Sequence, residues 1–159
     1  MNAETTKERD LRMMRLALDE AQKAISHEDV PVGAVLVDDS TNEIITLSHN
    51  TREMCQTALG HAEMSAIKEA CEKRHSWRLS NCTLYVTLEP CPMCAGAIIA
   101  ARIPRVVFGA KDAVAGAMGS VWAIHRHPDQ NSSVVVEEGL LEEESKTLLR
   151  DFFKSKRKS

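Results

Sequence analysis

Aromatic side chains are scarce in this sequence. Trp, Tyr and Phe together make up 4% of its 159 residues, so the core has to be filled by aliphatic groups. Long apolar runs are missing too. No stretch approaches the ~20 apolar residues of a membrane-crossing helix. Met1 to Arg9 is polar and charged, unlike a secretory signal. Both absences point to a cytoplasmic protein with no membrane partner. Charge of one sign is not in excess either. A net charge of -3 argues against coating nucleic acid through bulk charge, while leaving room for a local basic patch. The five cysteines do not make an even set, and one pair has Cys-x-x-Cys spacing. That pattern belongs to thiol chemistry in a reducing compartment, not to a disulfide framework. No repeat and no linker divides the chain, so residues 1–159 read as one domain, with a basic tail at about 154–159.

The order of elements is readable from periodicity. Leu11, Met14, Leu18, Ala21 and Ile25 recur at steps of three and four, predicting a helix over about 5–27 with that face buried. Residues 30–37 and 43–48 form apolar, β-branched runs around a turn cluster at 38–42, and predict a hairpin. Pro31 should stand at the start or edge of its strand, because it cannot donate to a ladder. Gly33 either eases packing or lets a ligand approach the backbone. A loop of about ten residues runs to Gly60, and a second helix follows from about Ala62 to His75. Residues 83–88 give the clearest strand, and a helix beginning at Pro92 follows it directly. A strand at 105–109, an irregular stretch at 110–131, a strand at 134–136 and a last helix, marked by Leu140, Leu141, Leu148, Leu149, Phe152 and Phe153 and ending in the basic stretch 154–158, complete the chain. This alternation predicts an α/β fold with a mixed sheet whose last strands are parallel.

Two short segments carry chemistry. His61-Ala62-Glu63 and Pro90-Cys91-Pro92-Met93-Cys94 together offer one imidazole, two thiolates and a carboxylate. A zinc ion with three protein ligands keeps a fourth position for water, which distinguishes catalytic from structural sites. Alone, Cys-x-x-Cys also fits a redox pair or half of a zinc knuckle. Here it opens a helix, where the N-terminus favours thiolate. Residues two apart on a helix point to nearly opposite sides. His61 and Glu63 can therefore share a metal only if it lies off the helix start, with His61 at the boundary. His-x-Glu followed by Pro-Cys-x-x-Cys is the zinc deaminase signature.

The resemblance extends beyond the signature. From about Met14 to the tail, the sequence resembles the bacterial tRNA adenosine deaminases of the cytidine-deaminase-like superfamily. The similar blocks are residues 30–34, 84–91, 102–110 and 151–153. The resemblance implies a three-layer α/β/α sandwich with a mixed five-stranded sheet, and a homodimer. It implies one Zn2+ per subunit held by His61, Cys91 and Cys94, with Glu63 as the catalytic proton shuttle. It implies that Asn50 contacts the target nucleoside, and that the partner is a tRNA anticodon stem-loop. Lys154, Lys156 and Arg157, with Arg150 upstream, are candidates to hold its phosphates. One departure lies in the segment Gln56-Thr57-Ala58-Leu59-Gly60-His61, where such enzymes commonly read Pro-Thr-Ala-His-Ala-Glu; it leaves the ligands untouched and bears on substrate choice.

The expected function is hydrolytic conversion of adenosine to inosine at the wobble position. A deaminase of free bases or nucleosides is the alternative, and a zinc-stabilised RNA-binding protein without turnover is a third. Glu63 speaks against the third, because a structural zinc has no need of it. Cys55, Cys71 and Cys82 are expected in the core. Trp77, Trp122, His125 and His127 are expected near a pocket or an interface.

Overall fold

The computed structural model describes residues 3–130 and 133–158, with backbone alone at Lys158. Asn131, the end of the expected irregular stretch, and Ser159, the end of the expected tail, lie outside them. Five helices and five strands follow in the order α1 (Thr6–Ile25), β1 (Gly33–Asp38), β2 (Ile44–His49), α2 (Arg52–Cys55), α3 (Ala62–Arg74), β3 (Cys82–Leu88), α4 (Pro92–Ala100), β4 (Arg105–Ala110), β5 (Val135–Glu137) and α5 (Glu142–Lys158). The strands form one mixed sheet, in the order β2-β1-β3-β4-β5. β1 runs antiparallel to both β2 and β3, while β3–β4 and β4–β5 are parallel.

Alternation along the strands builds the layers. Ala34, Leu36, Leu84, Val86, Val106 and Phe108 face one side and pack with Ala62, Ala66 and Ala70 of α3 and Ala95 and Ile98 of α4. Val35, Val37, Tyr85 and Val107 face the other side and meet Met13, Met14 and Ala17 of α1. α5 contacts α1 and β4, and Leu140 and Leu141 join the same cluster just before it. β1 and β3 are thus covered on both faces, which is why their sequences run nearly continuously apolar.

α1 begins with a reciprocal cap. The Glu8 amide donates to Thr5 Oγ1 (3.1 Å), and the Thr5 amide donates to the Glu8 carboxylate (3.3 Å). Its buried stripe differs from the expected one. Met13, Met14, Ala17, Ala21 and Ala24 are inside, whereas Leu11 and Ile25 are exposed. The periodicity was masked because Arg9, Asp10 and Glu20 also lie in the buried stripe. Arg9 and Asp10 are tolerated there by a polar network. Arg9 donates to Tyr85 Oη and Asp39, Tyr85 donates to Asp10 (2.5 Å), and Arg105 grips Asp10 through both nitrogens at 2.9 and 2.6 Å. Gly33 answers the packing alternative. A Cβ there would stand 1.9 Å from the Ala17 carbonyl oxygen, so α1 crosses β1 at a distance only glycine permits.

Other expectations shift in detail. The loop 49–60 contains the single-turn α2. The basic stretch 154–158 closes the last helix, as expected, since α5 runs to Lys158. Leu140 and Leu141 precede that helix. The stretch 110–130 contains a short 3-10 turn at Ile124–Arg126 and a bridge between Met118 and Ala123. Of the three cysteines expected inside, Cys82 is buried and Cys71 half-buried, but Cys55 is exposed because it ends the surface turn α2. No described helix is long and apolar enough to cross a membrane.

Candidate active site

Both chemical segments start helices. His61 is the N-cap of α3 and Cys91 the N-cap of α4, each with extended backbone angles. Cys91 precedes Pro92, whose missing N–H falls where a helix needs none. Cys94 lies one turn on. This geometry meets the condition set by the spacing of His61 and Glu63, because the metal-binding side chain stands at the boundary and not within the helix. His61 Nδ1 lies 3.5 Å from both Cys91 Sγ and Cys94 Sγ. Ligand atoms of all three residues lie within 4.8 Å of one another, so they could hold one metal ion.

The donor set suits zinc. Hydrogen bonding from Cys94 and His61 outweighs burial and holds the Cys91 sulfur down at about 4, so it is a thiolate at neutral pH. Cys94, which donates to Cys91 and is fully buried, is pushed far up. Binding of a metal by both sulfurs therefore releases a proton. One imidazole and two thiolates form a three-ligand set that leaves a fourth position for water.

Glu63 stands beside this set and is only 4% exposed. Burial pushes its carboxyl up to about 7. His61, Glu63, Cys91 and Asn50 all line one cavity of about 170 Å³. The Asn50 Oδ1 accepts the Ala62 amide at 2.8 Å, leaving its –NH2 to offer a ligand.

Four further polar residues line the same cavity and have no role assigned from sequence: Asp29, Arg52, Glu89 and Asp112. Asp29 is buried and accepts the amides of Glu53 (2.7 Å) and Met54 (3.1 Å), which pins α2 and places Arg52 at the rim. His27 Nδ1 lies 2.6 Å from the same carboxylate. Gly60 belongs to this packing: a Cβ there would come within 2.6 Å of the Arg52 amide nitrogen. The Leu59-Gly60 departure thus belongs to the tight seating of α2 against the start of α3. Glu89 is 2% exposed, and the amides of Asp112, Met118 and Ser120 donate to it. Burial tends to raise its carboxyl, but the Ser120 hydroxyl and those amides outweigh it and hold Glu89 below its ordinary value. The available signal was a carboxylate directly before Pro90-Cys91, but its partners are distant in sequence.

Some expected residues lie away from the cavity. Lys154, Lys156 and Arg157 are exposed on α5 and do not line it. Lys156 Nζ stands 3.5 Å from the carboxylate of Glu28, next to Asp29 in the chain. Trp77 and Trp122 are half-exposed and His127 is exposed, while His125 is buried in the 3-10 turn; none of the four lines the cavity.

Comparison with known proteins agrees with this site. Residues 7–110 match the family described as the cytidine and deoxycytidylate deaminase zinc-binding region. A Bacillus subtilis protein called tRNA-specific adenosine deaminase is 47% identical over 145 residues, covering 91% of this chain and 89% of its own. A structure solved in studies of A-to-I editing by tRNA:A34 deaminases at the wobble position of transfer RNA superimposes with a TM-score of 0.83 at 42% identity, covering 87% of this chain and 99% of that one. A guanine deaminase from Nitrosomonas europaea is 24% identical with a TM-score of 0.75, covers 89% of this chain and 83% of that one, and shares the fold alone. The chain belongs to the family of zinc-binding cytidine and deoxycytidylate deaminases, in the branch that holds the proteins called tRNA-specific adenosine deaminases.

Proposed function

We propose that this chain, working as one domain, is a hydrolytic deaminase that converts adenosine to inosine at the wobble position of a tRNA anticodon loop. The observation that carries the reaction class is a buried carboxylate, Glu63, sharing one cavity with His61 and Cys91 of the His61/Cys91/Cys94 cluster. The substrate is supported by relatives of that name that align with more than nine-tenths of the chain.

His61, Cys91 and Cys94 would hold the zinc ion. When bound, zinc supplies Lewis-acid activation, bringing the pKa of a water molecule toward neutrality. Glu63 takes the proton of that water and delivers it to the ring nitrogen next to the carbon that bears the amino group. The water oxygen bonds to that carbon. Glu63 then carries a second proton to the amine, the C–N bond breaks, and ammonia leaves inosine behind. Burial disfavours the charged form of Glu63 and raises its carboxyl to about 7, which strengthens it as a base for both proton transfers. Asn50 orients the base through its free –NH2.

A cavity of about 170 Å³ takes a single base, so the adenine has to be unstacked before it enters. Anticodon loops present such splayed bases. Lys154, Lys156 and Arg157 lie at the end of α5, and Lys156 reaches Glu28, which is next in the chain to Asp29 of the cavity wall. There they hold RNA phosphates. The resemblance further supports a homodimer acting in the cytoplasm.

The test is to incubate zinc-loaded protein with an anticodon stem-loop carrying the wobble adenosine, and separately with free adenosine, guanine and cytosine, following ammonia. Release from the stem-loop alone is expected. Release from a free base or nucleoside and not from the stem-loop would overturn the assigned substrate.

A further inference from the structure

One wall of the cavity is formed by the loop that follows β4, through Asp112 and Ala115. This loop is irregular, yet its backbone is tightly held, and the holding group is a single side chain. Glu89 Oε1 accepts from the Asp112 amide (3.1 Å) and from the Ser120 hydroxyl. Glu89 Oε2 accepts from the amides of Met118 (3.0 Å) and Ser120 (3.1 Å). The two ends of the loop are therefore tied to one carboxylate. The adjacent Pro90 carbonyl accepts the Ala117 amide at 2.9 Å, adding a fifth tie to the same turn. Gly116 closes over the carboxylate so tightly that a Cβ there would stand 2.5 Å from Glu89 Cδ. Inside the loop, Asp112 Oδ1 accepts the amides of Val114 and Ala115, each at 3.0 Å, and fixes the segment between them.

We propose that Glu89 is a positioning residue, which locks the loop 112–120 onto the turn that carries Cys91 and so sets the wall against which the substrate base is seated. The inference rests on the deaminase reading above. Its physical basis is directional. A buried carboxylate offers only acceptors, and here four donors from one loop saturate it. Glu89 is also two residues from Cys91, with its own amide bound to the Ala110 carbonyl at 2.9 Å. The wall and the metal-binding turn therefore share one backbone anchor, which fixes their relative position.

Glu89→Gln tests this with little change in volume. A carboxamide has one acceptor oxygen, so its –NH2 must face donors on one side. The less damaging orientation turns it toward Ser120 Oγ, which can reverse its hydroxyl, and leaves the Asp112 amide without an acceptor. Ser120→Ala, a milder variant, keeps the carboxylate and its three amide bonds. In zinc-loaded Glu89→Gln we expect one zinc per chain, amide exchange at Asp112 and neighbouring loop positions about tenfold faster, and KM for the stem-loop raised about tenfold, with kcat changed less than about threefold. Ser120→Ala should fall between this variant and the wild type. Unchanged exchange in the loop, loss of zinc from a folded Glu89→Gln, or faster exchange with unchanged KM would each overturn the proposal. If Glu89→Gln does not fold, an unaltered KM and unaltered loop exchange in Ser120→Ala would overturn it. A wild-type protein inactive on the stem-loop would sink the assigned substrate instead, while the exchange measurement would still report on the loop.

Discussion

Asn50 Oδ1 accepts the backbone amide of Ala62 at 2.8 Å, and Ala62 is the residue between His61 and Glu63. One side chain thus secures the start of α3 and lines the cavity at the same time. Its two roles fall on different atoms, so they can be separated. Asn50→Asp keeps an acceptor for the Ala62 amide and places negative charge at a helix N-terminus, but removes the –NH2. It should retain stability within about 1 kcal/mol and lose about tenfold or more in kcat/KM. Asn50→Ala should lose both, with an unfolding free energy lower by about 1 kcal/mol in urea titration. Equal activity of Asn50→Asp and the wild type would remove Asn50 from substrate binding.

Glu63→Gln is nearly isosteric and cannot shuttle a proton. Turnover should fall by about 10²–10⁴-fold. Zinc content should stay at one per chain, because Glu63 is not among the three clustered ligands. Metal analysis alongside ammonia release checks both halves, and residual activity above about a tenth of wild type would exclude the proton-shuttling role.

Removal of a ligand acts on stability as well as on chemistry. His61 and Cys91 begin different helices, so a bound ion ties α3 to α4. Free zinc at about 100 times its Kd stabilises the wild type by about 2.7 kcal/mol. Chelator should therefore lower the melting temperature of the wild type and leave Cys91→Ala unmoved. A variant that still bound one zinc per chain would remove Cys91 from the ligand set.

Acid should loosen the opposite face of the sheet. Burial tends to raise the Asp10 carboxyl, but the hydrogen bonds from Arg105 and Tyr85 outweigh it and hold it below its ordinary value of 3.8. Asp38, held by Ser40 and paired with Arg74 at the end of α3, is lowered as well, so acid also reaches the other face. A carboxyl depressed by folding contributes stability that is fully present above its unfolded pKa and is lost as pH falls through the folded value. The melting temperature should therefore be insensitive to these groups from pH 5 to 7 and fall below about pH 4. Asp10→Asn should be less stable at pH 7 and show a shallower acid decline; an identical acid profile would show that Asp10 contributes nothing to it.

How legible the chain was depended on whether its partners were near in sequence. The β3–α4 junction could be read almost to the residue, because an apolar strand, Pro92 and Cys-x-x-Cys all act locally. The position of His61 at a helix start followed from its spacing to Glu63. The buried face of α1 could not be read in the same way. Whether Asp10 is inside depends on Arg105, 95 residues away, and the close approach of Ala17 depends on Gly33. The roles of Asp29 and Glu89 were hidden for a related reason: their partners are backbone amides, which every residue has and no motif displays.

The sheet is fastened differently on its two faces. Toward α3 and α4 the contacts are small and apolar, and the tie between the helices is the three-residue cluster that can hold a metal. Toward α1 the tie is a lattice of ionic hydrogen bonds around the single tyrosine, Tyr85. Chelation attacks one fastener alone, whereas acid attacks both, because binding of a metal by the two sulfurs releases a proton. A chain stripped of metal at neutral pH should therefore be loosened on the face of α3 and α4 and stay sound on the face of α1, while an acidified chain should loosen on both.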